Sequence, residues 1–222
     1  MSGRQTVDAH MSGKLSVQTL VVGQMATNCH IAYDTVTRDG IIIDAGDDPE
    51  YISDTLTRLR ITPILLVSTH GHFDHNLGAF ALQHGYGIPF AIHPDDRFLL
   101  DTMQQSAKHF LGIPYADPPP IAPVDLSGMG TIRIGTAKLS VFAVPGHTPG
   151  SVCLYAKDMG LVFTGDTIFA DGAVGRTDRS YGDARELRRS VKRILRLPPE
   201  TKILSGHGAE TSVLAERVYH GV

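Results

Sequence analysis

The strongest chemical signature lies in one short run, Thr69-His70-Gly71-His72-Phe73-Asp74-His75. Four side chains that can bind a metal, His70, His72, Asp74 and His75, fall within six residues. In an extended turn residues i and i+2 point to the same side, so His70 and His72 can converge on one ion. Asp74 and His75 are then placed to serve a second. A lone loop histidine is ordinarily structural, but packing gives no reason for a cluster this dense. Further candidates stand isolated among small residues: His147 in Pro145-Gly146-His147-Thr148-Pro149-Gly150, Asp166 in Thr164-Gly165-Asp166-Thr167, and His207 in Ser205-Gly206-His207-Gly208. Each follows an apolar, strand-like run, and the glycines let backbone come close to a ligand.

The elements that must position these residues are legible as alternating apolar segments. Leu15 to Val22, Cys29 to Tyr33 and Ile41 to Asp44 read as successive strands. Asp48 is expected to cap a helix with Pro49 in its first turn, and Ile52, Leu56 and Leu59 give it one apolar face until Thr62-Pro63. The strand Ile64 to Ser68 delivers the histidine run, and a short helix is expected to begin near Asp74. Phe90 to Ile92 is a further strand, followed by a helix opened by Pro94 and Asp95, carrying Phe98, Met103 and Phe110, and closed near Gly112. The proline-rich stretch from Tyr115 to Pro123 reads as a stiff connector between two halves meeting near 115–125. Strands follow at Ile132 to Ile134, Leu139 to Val144, Ser151 to Tyr155 and Leu161 to Thr164. Asp183 and Glu186 mark a helix whose buried stripe is Leu187, Val191, Ile194 and Leu195, and Lys202 to Leu204 presents His207. Two sheets packed face to face, with helices outside and the site along their shared edge, suit this order.

Composition narrows the class. The chain has 222 residues, 42% of them hydrophobic and 19% charged, with a formal net charge of −3. It is long enough for a full core, and its charge leaves no basic footprint for nucleic acid. Cys29 and Cys153 lie far apart in apolar surroundings, so both read as buried free thiols of a reducing compartment. No apolar run is long enough for a membrane span or signal peptide, which makes cytoplasm the expected location. Residues 1–14 are polar and unpatterned and read as a flexible extension, with residues 15–222 forming one domain.

The motif His70-x-His72-x-Asp74-His75, followed by His147, Asp166 and His207, resembles the metallo-β-lactamase superfamily. Thr164-Gly165-Asp166-Thr167-Ile168-Phe169, Gly175-Arg176-Thr177-Asp178 and Gly206-His207-Gly208 resemble its glyoxalase II-like (hydroxyacylglutathione hydrolase-like) short bacterial branch. The resemblance implies an α+β, four-layer αββα sandwich. It puts His70, His72 and His147 on one metal, Asp74, His75 and His207 on a second, and Asp166 between them. Zn2+ is the expected ion, with Fe2+ and Mn2+ also suited to a carboxylate bridge.

The reaction so implied is attack on a thioester such as S-lactoylglutathione by a hydroxide shared between two ions, with Asp74 and Asp166 as catalytic carboxylates. The expected partners are a small thioester or ester substrate, without nucleic acid or membrane, for a monomer or homodimer. Larger glyoxalase II enzymes carry a carboxyl-terminal helical domain with much of the glutathione contact, whereas this chain ends 15 residues after His207. The reaction type therefore carries over better than glutathione specificity. The alternatives are a persulfide dioxygenase with one iron on His70, His147 and Asp166, a lactonase or other esterase, and a metal-stabilised binding module. Asp44 reads equally as a turn residue or as an acceptor behind a ligand histidine. Arg176 and Asp178 read as a brace, and Phe110 and Tyr115 as core aromatics.

Overall fold

Strand β4 (Asp39–Ile43) shows why the molecule is layered. Side chains alternate across a strand, and here Ile41 and Ile43 join one buried cluster while Ile42 joins another. A strand that is apolar on both faces has to be covered on both. In the computed structural model, which describes residues 5–12, 14–114, 116–121 and 123–221, β4 is the centre of a seven-stranded sheet. Its order is β1 (Gln5–Ser12), β2 (Leu15–Val22), β3 (Thr27–Asp34), β4, β5 (Thr62–Val67), β6 (Phe90–Ile92) and β7 (Val124–Asp125). Pairing is antiparallel from β1 to β4 and parallel from β4 to β7. Parallel neighbours need crossovers, and these are α1 (Pro49–Leu59), α2 (Ala79–Tyr86), and the pair α3 (Arg97–Asp101) and α4 (Met103–Leu111).

The second sheet has six strands: β8 (Thr131–Ile134), β9 (Ala137–Ala143), β10 (Val152–Ala156), β11 (Leu161–Gly165), β12 (Lys202–Ser205) and β13 (Thr211–Ser212), ordered β13-β12-β11-β10-β9-β8. One core lies between the sheets, where Val17, Ile41 and Val67 meet Ile134, Leu154 and Phe163. A second lies beneath α1 and α2. The third joins Cys153, Val162 and Ile203 to α5 (Ala184–Ile194) and α6 (Val213–His220). The result is the expected αββα sandwich. Cys29 and Cys153 are buried free thiols, and burial pushes both well above the ordinary thiol range. Among the described residues no helix is long and apolar enough to cross a membrane.

Several expectations are corrected. Residues 5–12, read as an unpatterned extension, pair with β2 as strand β1, because a ladder of backbone hydrogen bonds at a sheet edge needs no apolar pattern. The connector does not end the first half: β7 still pairs with β6, and the chain changes sheets between Asp125 and Thr131. Asp48 sits at the N-cap of α1 but its side chain does not cap it; Asp48 Oδ2 accepts from the Gly23 amide instead. The helix expected from Pro94 to Phe110 is interrupted at Thr102. Near Asp74 there is only a 3-10 turn, Phe73–His75. Tyr115 lies outside the described residues.

Asp34, buried at the end of β3, fastens the two sheets. Its Oδ2 accepts from the amide (2.8 Å) and hydroxyl (2.6 Å) of Thr136 in the β8–β9 turn, and its Oδ1 from the Val36 and Thr37 amides. The Thr136 hydroxyl and amide foremost hold the carboxyl well below its ordinary 3.8. A folded-state value below the unfolded one stabilises above the unfolded value and is lost as pH falls through the folded one. Asp34→Ala should therefore lower the thermal midpoint by several degrees at pH 7, and the deficit should shrink as melts are repeated below pH 3.8. A deficit that stays constant with pH would rule out the carboxylate charge as its source.

Candidate metal centre

The residues singled out by the sequence come from both sheets and meet at one end of the sandwich. The loop after β5 carries His70, His72, Asp74 and His75; the loop between β9 and β10 carries His147; Asp166 follows β11 and His207 follows β12. Three groups of possible ligand atoms result: His70 with His72 and His147, Asp74 with His75 and His207, and His70 with His75 and Asp166. His72 Nδ1 lies 3.0 Å from both His70 Nε2 and His147 Nε2. His207 Nε2 is 3.3 Å from His75 Nε2 and 3.3 Å from Asp74 Oδ2. Asp166 stands between the groups, with Oδ1 3.5 Å from His75 Nε2 and Oδ2 3.7 and 3.6 Å from His147 and His207 Nε2.

The partners behind the rings decide which nitrogens face inward as acceptors. His147 Nδ1 donates to the Arg176 carbonyl (2.8 Å) and His207 Nδ1 to the Ala26 carbonyl (3.4 Å). His75 Nδ1 donates to Asp44 Oδ2 (3.1 Å). His70 Nδ1 donates to Thr69 Oγ1, whose own proton goes to Asp44 Oδ2 at 2.7 Å. Tyr181 Oη lies 2.8 Å from His72 Nε2. Among His70, His72 and His147 lone pairs thus converge where no proton separates them, a repulsive arrangement that a cation turns into a binding site. The spacing fits: nitrogens about 2.0 Å from a tetrahedral ion stand about 3.3 Å apart. Asp166 Oδ1, buried with no hydrogen bond among the described residues, is a further unsatisfied donor to such an ion.

Electrostatics agree with this arrangement. Burial, then the neighbouring imidazoles, lower His70 well below its ordinary value and His72 to about 3. Burial also works against a charged His75 and His207, but the carboxylates around them outweigh it and raise both. Burial would raise Asp74 and Asp166, yet His75 and its neighbours hold both below the usual carboxylate range. The centre therefore combines ionised carboxylates and neutral His70 and His72 with His75 and His207 rings that hold protons against those carboxylates, and a divalent cation would take the place of those protons.

Three supporting residues carried too little sequence signal to be assigned a role. Asp96, fully buried, accepts from the Gly71 amide (2.8 Å), the Thr148 hydroxyl (2.6 Å) and the Gly150 amide (2.6 Å), clamping the loops that carry His70, His72 and His147. Asn76 Nδ2 donates to the His70 and His72 carbonyls. Asn28 Nδ2 donates to the Ser205 and Gly208 carbonyls, tying the His207 loop to β3. The partners of Asp96 and Asn28 lie in other loops, and Asn76 binds only carbonyls of its own loop, so none of the three has a sequence marker. Gly206 explains its flanking position: a Cβ there would strike Asp166 Oδ1 and His75 Cε1.

Above the ligands lies a cleft of about 720 Å³ bordered by Phe98, Phe110, Arg179 and Tyr181. Phe110 is not the core aromatic expected: it is 47% exposed and stacks on Phe73 at 5.7 Å. Arg176 and Asp178 form a bidentate pair, Nε to Oδ1 and Nη2 to Oδ2 both at 2.6 Å, at the cleft edge. That pairing agrees with a brace, although it is the Arg176 carbonyl that holds His147.

The metallo-β-lactamase superfamily domain matches residues 22–207, and the chain belongs to that superfamily of metal-dependent hydrolases. The chain is 28% identical over 206 residues to the hydroxyacylglutathione hydrolase GloC of Haemophilus influenzae, covering 91% of this chain and 95% of that one. The crystal structure of the BLEG-1 B3 metallo-β-lactamase superposes with a TM-score of 0.82 at 32% identity, over 91% of this chain and 96% of that one. The crystal structure of TTHA1623 in a di-iron-bound form gives 0.79 at 32% identity, over 89% and 96%.

Asp96→Ala leaves the buried Gly71 and Gly150 amides without an acceptor, at about 1–3 kcal/mol each before relaxation, while the Thr148 hydroxyl retains Ser151. The variant should lose about 3 kcal/mol of stability in denaturant titrations and bind its first metal equivalent more weakly in calorimetry. Unchanged metal affinity would show that the two loops hold their places without the clamp.

Proposed function

We propose that the chain is a dinuclear metal-dependent thioesterase, with S-lactoylglutathione as the representative substrate. The observation that carries this reading is the double group of inward-facing donors with Asp166 set between them. His70, His72 and His147 would hold one ion, Asp74, His75 and His207 the other, and Asp166 both. Divalent ions bound there supply Lewis acidity for a carbonyl and a water whose pKa falls to about 7. Zn2+ suits the histidine-rich set, and the di-iron relative supports Fe2+ as an equal candidate.

The remaining work falls to residues of the chain. Asp74 Oδ2 points to the same region as the Asp166 carboxylate and orients the attacking water. Asp44 and the Arg176 carbonyl fix ring orientations, so no reorganisation is needed as charge develops on the substrate oxygen. The cleft wall of Phe98 and Tyr181, in edge contact at 5.5 Å, shelters the acyl end. Arg179, 5.3 Å above the Phe110 ring, presents a cation to an anionic leaving group. The activity named for GloC and the match along nearly its whole length support the glutathione thioester over a lactone. All seven donors being gathered here favours two ions over the three-ligand iron site of a dioxygenase.

Metal content per chain and hydrolysis of S-lactoylglutathione should be measured on the same purified sample, with a chromogenic β-lactam and oxygen uptake as controls. Two ions per chain with thioester turnover is the expected result. Asp166→Ala should lose about 10³-fold or more in kcat, and Tyr181→Phe about tenfold, as for the loss of a partner behind a metal-bound histidine. One iron per chain with oxygen uptake on a persulfide would overturn the reading, as would turnover of the β-lactam alone.

A further inference from the structure

The net charge of −3 conceals a strong separation of charge. Of the 20 lysines and arginines, six fall within residues 184–196, namely Arg185, Arg188, Arg189, Lys192, Arg193 and Arg196, against a single carboxylate, Glu186. This segment therefore carries +5 and the rest of the chain −8. At 3.6 residues per turn the five on α5 fall within about 140° of the helix circumference and span about 12 Å along it, and Arg196 follows in the turn beyond the helix. Leu187, Val191 and Ile194 take the opposite, buried side.

Two of the cations are engaged within the chain. Arg189 pairs with Glu186, and Arg193 lies over the Phe142 ring and donates to the Ala143 carbonyl. The side chains of Arg185, Arg188, Lys192 and Arg196 have no ion-pair or hydrogen-bond partner among the described residues. Repulsion along such a row costs stability, and nothing in the metal centre uses it.

A second feature adjoins the first. On α6, Leu214, Val218 and Tyr219 are 59%, 79% and 58% exposed. Val213 of α6 and Leu187 of α5 belong to one buried cluster, so both helices cover the same face of the second sheet and turn their outer sides away from it together. Arg217 rivets them by donating to the Leu195 and Leu197 carbonyls. Most nearby carboxylates are occupied. Glu210 pairs with Lys202, Glu216 is buried and accepts from the Gly172 amide and Thr211 hydroxyl, and Asp171 accepts from Tyr219.

We propose that the α5–α6 face docks peripherally on an anionic lipid surface. The cations would face the headgroup charge while Leu214, Val218 and Tyr219 enter the boundary beneath it, the two signals whose combination gives stable interfacial binding. A nucleic-acid backbone would use the same cations but has no use for outward Leu214 and Val218, and this favours lipid. The inference concerns where the protein resides and is independent of the reaction it performs.

The test is co-sedimentation of the metal-loaded protein with vesicles of mixed phosphatidylglycerol and phosphatidylcholine, against phosphatidylcholine alone. Binding is expected only to the mixed vesicles and should weaken with salt. Each cation contributes about a fivefold gain in partitioning, so the double variant Arg188→Gln, Lys192→Gln should lose about 25-fold. Val218→Ser should lose several-fold, with turnover unchanged in both variants. Absence of binding to the mixed vesicles would overturn the proposal. So would binding that neither variant weakens, or binding to single-stranded nucleic acid that the double variant weakens and Val218→Ser does not.

Discussion

Imidazole nitrogens of His70, His72 and His147 that would repel one another are held 3.0 Å apart with their lone pairs inward, and most of the fold serves to keep them there. Asp44 carries much of that work. Its carboxylate receives the Thr69 amide and hydroxyl and the His75 ring, and through Thr69 it also sets the His70 ring. One buried carboxylate thus orients ligands of both halves of the centre. Asp44 does this from a left-handed backbone conformation, φ 56°, which aspartate tolerates better than most residues. Such local strain persists only where surrounding contacts over-determine it.

The two-sheet architecture supplies that over-determination. No single loop could bring seven donors to one point, but two sheets sharing an end can, because each strand delivers its loop at a fixed place. The seam is closed by bonds that cross it: the Val152 amide to the Thr69 carbonyl, the Asn28 amide to the Gly206 carbonyl, and the Asp96 clamp between two ligand loops. Burial lets these few bonds act strongly, since a buried polar group without its partner is costly. Stability and site geometry are therefore coupled at the seam, while the helix layers serve mainly to cover the outer faces of the sheets.

The same layering separates functions in space. The candidate ligands and the cleft occupy one end of the sandwich, whereas the uncompensated cations and outward apolar side chains occupy the helical face of the second sheet. Net charge, a sum over the whole chain, cannot register that separation. A helix whose buried face is fully satisfied is free to carry any chemistry on its outer face, and α5 carries almost nothing but positive charge there.

Most of the strands, and the seven candidate ligands that the fold gathers at one end, are legible from the residues alone. Dense or glycine-flanked histidines and aspartates are legible because few other roles tolerate them, and short continuous apolar runs such as Ile41 to Ile43 because a strand buried on both faces must be apolar throughout. Pairings between distant segments exist only in the folded chain. Asp96 looks like an ordinary turn residue until Gly71 and Gly150 are brought to it, and Tyr181 acquires meaning only beside His72. Strand β1 has no pattern of its own because an edge ladder is built from backbone. Phe110, on α4 beyond the interruption at Thr102, stands at the cleft mouth against Phe73 instead of in the core. In each case the deciding partner lies far along the chain, and local composition records a residue's own burial and conformation but not the identity of what it meets.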